Sequence, residues 1–220
     1  MFPAPTLEGT HVRLEPLSLG HAAALAAAAS ERRDTYAYTW VPDGEASMRL
    51  YVEEALVLHE TGAAVPFATV QRNTGRAIGS TRFFNFEYFR WPDGPRAAPQ
   101  PPDAVEIGWT WLAASAQRTT SNTEAKLLML TYAFESWRVL RVNLRTDARN
   151  ARSRTAIERL GAKLDGILRA HVPASDGGVR DTATYSLLAQ EWPAAKAHLR
   201  DRLDKGGGQN GFCNVRDPKA

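Results

Sequence analysis

The segment 117–126, QRTTSNTEAK, has the residue types of an anion site. Ser121 and Glu124 stand at capping-box spacing, so the serine side chain can accept from the third helical amide while the glutamate reaches back. A helix start of this kind presents several backbone N–H groups and partial positive charge. Arg118 adds a full cation beside it. An ordinary well-capped helix is the other reading of the same spacing. No G-x-x-x-x-G-K-[ST] run occurs and no G-x-G-x-x-G follows a strand, which argues against a nucleotide triphosphatase or a dinucleotide enzyme.

Glu106 is the first candidate for moving a proton. It lies in AVEIGWTWL among Val105, Ile107 and Trp109, where an ionised carboxylate is costly unless it is used. A raised pKa would suit it as a base. If the three apolar residues face the core, strand alternation sends Glu106 and Gly108 to the other side, either a cleft or solvent. Catalytic base and structural carboxylate therefore both stand. His171 is a second candidate base, since imidazole titrates near neutral pH; a surface histidine at a strand end is the plainer reading. Tyr185 could donate a proton or fill the core. Asn150 reads as a helix N-cap with Ser153 three positions on, where a polar residue helps the helix start. The remaining histidines lack metal-ligand spacing and no CxxC occurs, so no metal is expected.

Alternating strand and helix signals must position these groups. Strands are expected at 11–14, 66–71, 77–84, 104–112, 139–146, 162–172 and 182–188, and helices at 19–30, 48–61, 122–137, 151–160 and 192–203. Asn73-Thr74-Gly75 and Asp176-Gly177-Gly178 read as hairpin turns, and Gly161 as a helix stop. In the helix at 122–137, Leu127, Leu130, Phe134 and Trp137 form the expected apolar face. The order β-αα-βββ-α-β-α-ββ-α predicts one α+β domain over residues 1–203, with 204–220 a flexible glycine-rich tail.

The chain has 220 residues, 44% hydrophobic and 23% charged, as in ordinary globular proteins. Its one cysteine, Cys213, excludes a disulfide scaffold and fits a reducing compartment. No apolar run approaches the ~20 residues that span a bilayer, and MFPAPTLEGT lacks the features of a signal peptide. A cytoplasmic protein without membrane association is expected. Net charge is +3, from 27 basic and 24 acidic residues, and the arginines are dispersed beside acids, so no nucleic-acid face is expected.

The run Glu106-Ile107-Gly108-Trp109, followed by 117–126, resembles the core of the GNAT superfamily of N-acetyltransferases. Arg141-Val142-Asn143-Leu144-Arg145-Thr146-Asp147, with Asn150, Ser153, Ala156, Ile157 and Leu160-Gly161-Ala162, resembles its RimJ/RimL branch. So do Gly166-Ile167-Leu168-Arg169 and the stretch from Arg180-Asp181-Thr182 to Tyr185-Ser186-Leu187-Leu188. The similarity spans about residues 10–203.

This resemblance implies a GNAT-like acyl-CoA N-acyltransferase fold, α+β, with a mixed, mostly antiparallel central sheet flanked by helices. It implies an enzyme that moves an acetyl group from acetyl-CoA, as cosubstrate, to a primary amine by direct transfer in a ternary complex. The acceptor would be a protein N-terminus or a small-molecule amine. A non-catalytic acyl-CoA-binding or regulatory module on the same fold is the alternative. In the branch, the fourth strand pairs with the pantetheine arm and the next loop wraps the pyrophosphate. By that likeness Trp109, Thr110, Trp111 and Leu112 would line the arm, with a strand amide near Trp109 serving the oxyanion. Gln117, Arg118, Thr119, Thr120, Ser121, Asn122 and Thr123 would hold the phosphates. Asn150 matches a cofactor-contacting asparagine, and Ser153 the position that touches the cofactor and protonates the departing thiolate. Glu106 and His171 would be the candidate bases. One departure stands out: the loop is usually Q/R-x-x-G-x-G/A, and Thr120 and Asn122 occupy its glycine positions.

Acceptor choice in such an architecture comes from the loop 31–47 and the turn after His171. Tyr36, Tyr38 and Trp40 make that loop aromatic, and Asp34, Asp43 and Glu45 make it acidic, which would suit a cationic amine. Packing of the helix hairpin onto the sheet is the other use for those aromatics. The proline-rich 91–103 would be a lid or the contact of a homodimer.

Overall fold

The computed structural model describes residues 3–94 and 101–207. A short strand β1 (Leu7–Glu8) turns into β2 (Val12–Pro16), and a 3-10 turn at Leu19–His21 leads to α1 (Ala22–Ser30). The alanine run makes α1 slim enough to bury Ala22, Leu25, Ala26, Ala28 and Ala29 against its neighbours. A loop with a 3-10 turn at Arg33–Tyr36 connects it to α2 (Gly44–Glu60), whose Met48, Tyr51, Val52 and Ala55 are buried. The hairpin β3 (Ala64–Gln71) and β4 (Ala77–Glu87) turns at Gly75, and β5 (Ala104–Leu112) follows. Next come α3 (Thr120–Thr131), extended by a π-helical turn at Tyr132–Ser136, then β6 (Arg141–Asp147) and α4 (Ala151–Glu158). The hairpin β7 (Lys163–Pro173) and β8 (Val179–Leu188) and the helix α5 (Trp192–Gly207) complete the fold.

The eight strands form one sheet in the order β1-β2-β3-β4-β5-β6-β8-β7. All neighbours are antiparallel except β5 and β6. This is the expected mixed, mostly antiparallel sheet. Alternation along β4 shows how it is covered. Ser80 meets Tyr51 of α2 on one face, while Thr81 meets Met129 of α3 on the other. Under α3, Phe83, Tyr132 and Trp137 form a tight aromatic cluster, with ring centroids 4.7 and 4.9 Å from Trp137.

Three sequence expectations change. α5 continues to Gly207, so the residues expected to open the tail prolong the helix. Residues 208–220, Cys213 among them, and the middle of the proline-rich loop lie outside the described residues. The helix expected from 122 begins at Thr120, and its Ser121–Glu124 capping box does not form. Thr119 caps it instead, its side chain accepting from the Ser121 amide at 3.2 Å. The Glu124 carboxylate turns inward and accepts from the amides of Thr10, His11 and Val12 at 2.7, 2.6 and 2.7 Å. Three converging donors outweigh the one amide a capping glutamate reaches. Gly9 permits this approach, since a Cβ there would lie 2.5 Å from Glu124 Cδ. Among the described residues no helix is long and apolar enough to cross a membrane.

Candidate active site

β5 and β6 run side by side for three residue pairs only, Ala104–Arg141, Val105–Val142 and Glu106–Asn143. Beyond Glu106 they part, which leaves the β6-facing edge of residues 107–112 without a strand partner. Such an edge is a template for another extended chain. Two bulges bracket the parting point. Trp109 and Thr110 together oppose Thr81, with Trp109 at φ +51°; Asn85 and Phe86 together oppose Val105, with Asn85 at φ +49°. Left-handed backbone at non-glycine residues costs about 1–3 kcal/mol and collects at functional sites. Gly79 lets the strands close over the first bulge, because a Cβ there would sit 2.1 Å from the Trp111 carbonyl oxygen.

Glu106 sits where the strands separate. By register it shares a face with Phe84, Arg82 and Gly108, the face that α2 covers. Of the two environments open to it, cleft or solvent, the structure gives the enclosed one: Glu106 is 4% exposed. Asn85 Nδ2 donates to its Oε2 at 2.9 Å, and Arg145 Nε lies 3.5 Å away. Burial pushes the carboxyl above the ordinary carboxylate range, against the Asn85 hydrogen bond and the charges of Arg145 and His171. The left-handed turn at Asn85 aims the amide that holds it.

The segment expected to hold an anion comprises Arg118, Thr119 and the first turn of α3. Arg118 has φ +61°, is exposed, and makes no hydrogen bond or ion pair among the described residues. Thr120 and Asn122 lie inside α3 and neither is left-handed, so backbone conformation asks for no glycine at either position. Ser121 is buried; Asn122 and Thr123 are half-buried. The Gln117 side chain is committed within the protein, donating to Thr35 Oγ1 and the Leu112 carbonyl and accepting from Arg152. Arg118, Arg152 and Arg32 line a cavity of about 630 Å³ beside this turn. Along β5, Trp109 is 48% exposed, while Trp111 and Leu112 are buried. The Leu112 carbonyl also accepts from Tyr36, whose hydroxyl is pushed up to about 12 by burial and so remains a donor.

Asn150 caps α4 as its spacing predicts, accepting from the Ser153 amide at 3.0 Å. Ser153 is half-buried and its hydroxyl is unbonded among the described residues. His171 is exposed on β7, beside a bulge at Ala170 (φ +45°), with Nδ1 3.1 Å from Thr182 Oγ1. Tyr185 is fully buried, and its hydroxyl accepts from Arg154 and donates to Glu158. It is a core tyrosine.

Loop 31–47 and the β7–β8 turn do come together. Ser175 Oγ donates to the Ala37 carbonyl at 3.0 Å, and Arg149 lies over the Tyr38 ring while pairing with Asp176. Two of the three acids expected to make the loop acidic lie beside arginines, and Glu45 makes no ion pair among the described residues. Asp34 pairs with Arg32 at 2.7 Å and Asp43 lies 3.7 Å from Arg33.

Two buried cations escaped the sequence reading. Lys126 Nζ donates to Thr81 Oγ1 at 3.0 Å and Thr110 Oγ1 at 2.6 Å, directly behind the β5 bulge, and burial pulls its pKa down to about 7. Its signal was present: Lys126 falls on the same helical stripe as Met129, Leu130 and Ala133, all buried. Arg82 is 2% exposed, between the rings of Tyr51 and Trp109. An arginine inside the apolar run AIGSTRFF was the corresponding sign.

Among described residues no cluster of His, Cys, Asp and Glu could hold a metal ion. Residues 11–163 match the acetyltransferase (GNAT) domain family. Among curated proteins none matches the chain by sequence. A GCN5-related N-acetyltransferase from Brucella melitensis is 28% identical, with 99% of this chain and 94% of that chain covered and a TM-score of 0.78. A T. thermophilus protein, assigned provisionally as an acetyltransferase, is 33% identical over 92% of this chain and 100% of its own, with a TM-score of 0.74. Mycobacterium smegmatis RimJ, solved in complex with CoA-disulfide, shares the fold at 19% identity, 87% and 88% coverage and a TM-score of 0.70. With residues 11–163 matched to that family and β5 and β6 parted beyond Glu106, the chain belongs to the GNAT acetyltransferase family.

Proposed function

We propose that this protein is an acetyl-CoA-dependent N-acetyltransferase acting on a primary amine by direct transfer, with Glu106 as general base. The observation that carries the reading is a buried carboxylate of raised pKa at the point where β5 and β6 part. Acetyl-CoA would supply an acetyl group activated as a thioester. The residues present fit it. The unpaired edge of Trp109, Thr110, Trp111 and Leu112 offers backbone groups to an extended arm. Arg118, Thr119, Thr120, Ser121, Asn122 and Thr123 form a helix start whose chemistry suits a pyrophosphate, the Ser121 amide being spent on the Thr119 cap and its hydroxyl remaining. Gln117 supports that turn from within, and Asn150 and Ser153 stand at the start of α4.

Glu106 takes a proton from the incoming ammonium, leaving the nitrogen lone pair free to attack. An amide N–H on the open edge near Trp109 stabilises the charge that develops on the carbonyl oxygen. As the N–C bond forms and the C–S bond breaks, the Ser153 hydroxyl would give its proton to sulfur and take up the second proton that the attacking nitrogen loses. His171, held by Thr182, is the second basic group near Glu106.

The test is Glu106→Gln. We expect thiol release over an amine panel to fall by about 10²–10⁴, while acetyl-CoA still raises the unfolding midpoint as in the unmutated protein. Acetyl-CoA binding without turnover on any amine in the unmutated protein would favour the non-catalytic module instead.

A further inference from the structure

Arg82 is a full charge almost entirely removed from water, 2% exposed, and without a counterion among the described residues. Its Nε and Nη2 are buried and lack an acceptor, and among the described residues its guanidinium makes no hydrogen bond or ion pair. The guanidinium carbon lies 5.0 Å from the Tyr51 ring centroid and 4.6 Å from that of Trp109. Two aromatic faces attract a cation only modestly, less than desolvating an ion costs. The rings leave the N–H groups without acceptors, and a guanidinium presents those groups as a fork matched to a carboxylate. The hydroxyls nearby are already joined to one another: Tyr51 donates to Ser80, and Ser80 to the Phe67 carbonyl.

The position of Arg82 relates it to the proposed acceptor site, and the inference rests on that reading. Arg82 opposes Gly108 and Phe84 opposes Glu106. Two residues of strand separate these stations, roughly 7 Å along β4. The other charges on this face are already engaged. Arg145 faces Glu106, and Glu87 is bound by Arg141 and Asn143. Arg82 is thus the charge without a protein partner. Tyr51 is held by burial and its hydrogen bond, whereas Trp109, the other ring over the guanidinium, is half-exposed.

We propose that Arg82 binds a carboxylate on the acceptor, so that the substrates are small molecules carrying both a primary amine and a carboxylate a few bonds apart. The carboxylate docks beneath Trp109 and directs the amine to Glu106.

The experiment compares ω-amino carboxylates of three to six carbons with the matching ω-amino carboxamides, and adds short peptides beginning with glutamate or glutamine. The unmutated protein should favour the carboxylates at least tenfold in kcat/KM, mainly through KM. Arg82→Met should abolish that preference while retaining transfer to the carboxamides, and Arg82→Lys should restore part of it. A second readout needs no turnover. Glutarate and pentanoate should change the tryptophan fluorescence of the full chain, the carboxamides should not, and Trp109→Phe should remove the signal. Equal response to carboxylate and carboxamide in the unmutated protein overturns the proposal without reference to any variant. Preference only for glutamate-led peptides overturns the small-molecule assignment. If no amine is acetylated at all, the transferase reading fails, and the fluorescence titration still decides whether a carboxylate binds at Arg82.

Discussion

At the scale of single residues, the site depends on ionisable groups kept from water. Ionisation of Glu106 is opposed by burial, so the carboxylate proposed as the base is fully formed only above the usual carboxylate range. The acid limb of the kcat/KM profile should therefore lie above pH 4.5, and Glu106→Gln should erase it. Because a raised carboxyl pKa means that the folded state gives up stability as pH rises through it, the same variant should melt no lower than the unmutated protein at pH 7. Lys126 works in the opposite sense. With its pKa held down to about 7, the folded protein lacks a proton that the unfolded chain binds up to about pH 10.4. Stability should rise between about pH 7 and 10, and Lys126→Met should flatten that rise. Urea titrations at several pH values check this; an unchanged slope in the variant would mean that the amine is charged and paired in the folded protein.

At the scale of elements, the carboxylate of Glu124 joins α3 to the turn before β2. Glu124→Ala leaves three backbone amides without their acceptor, each worth about 1–3 kcal/mol when buried. We expect a loss on the order of 3 kcal/mol, and a loss of similar sign for Gly9→Ala, whose Cβ collides with the same carboxylate. Chemical denaturation measures both. That tie also explains what was hard to read in the sequence. Serine, then glutamate three residues later, is the local pattern of a capping box, and only the distant Thr10, His11 and Val12 reassign the glutamate. Elements with strong local periodicity were legible: β5 was expected at 104–112 and spans Ala104–Leu112. The two-residue β1 carries no pattern of its own, and it exists because β2 pairs with it. Asn150 as a cap was legible because its partner, Ser153, is three residues away. Arg82 and Asn85 were not, since their meaning lies in a neighbouring strand and an opposing helix. The bulges beside Glu106 and His171 likewise depend on register between strands, which no single segment specifies.

At the scale of the whole molecule, the sheet is two leaves, β1–β5 and β6–β8–β7, hydrogen-bonded along a seam of three residue pairs. The contact of Ser175 with Ala37 bridges the leaves above the gap. A seam so short is a natural boundary for sub-global opening. In native-state hydrogen exchange, amides of β6 and β8 should open at a lower free energy than those of β3 and β4. Acetyl-CoA should bring the two sets closer together and slow exchange at residues 107–112; leaves that already exchange as one unit without it would contradict this.

The parted strands therefore act as an unfinished weld. The polypeptide leaves one line of its own sheet open, and under the proposed function an extended acetyl-CoA arm would close it. Such a protein should resist proteases better with acetyl-CoA bound than without it, and should be cut first near the β7–β8 leaf when the donor is absent.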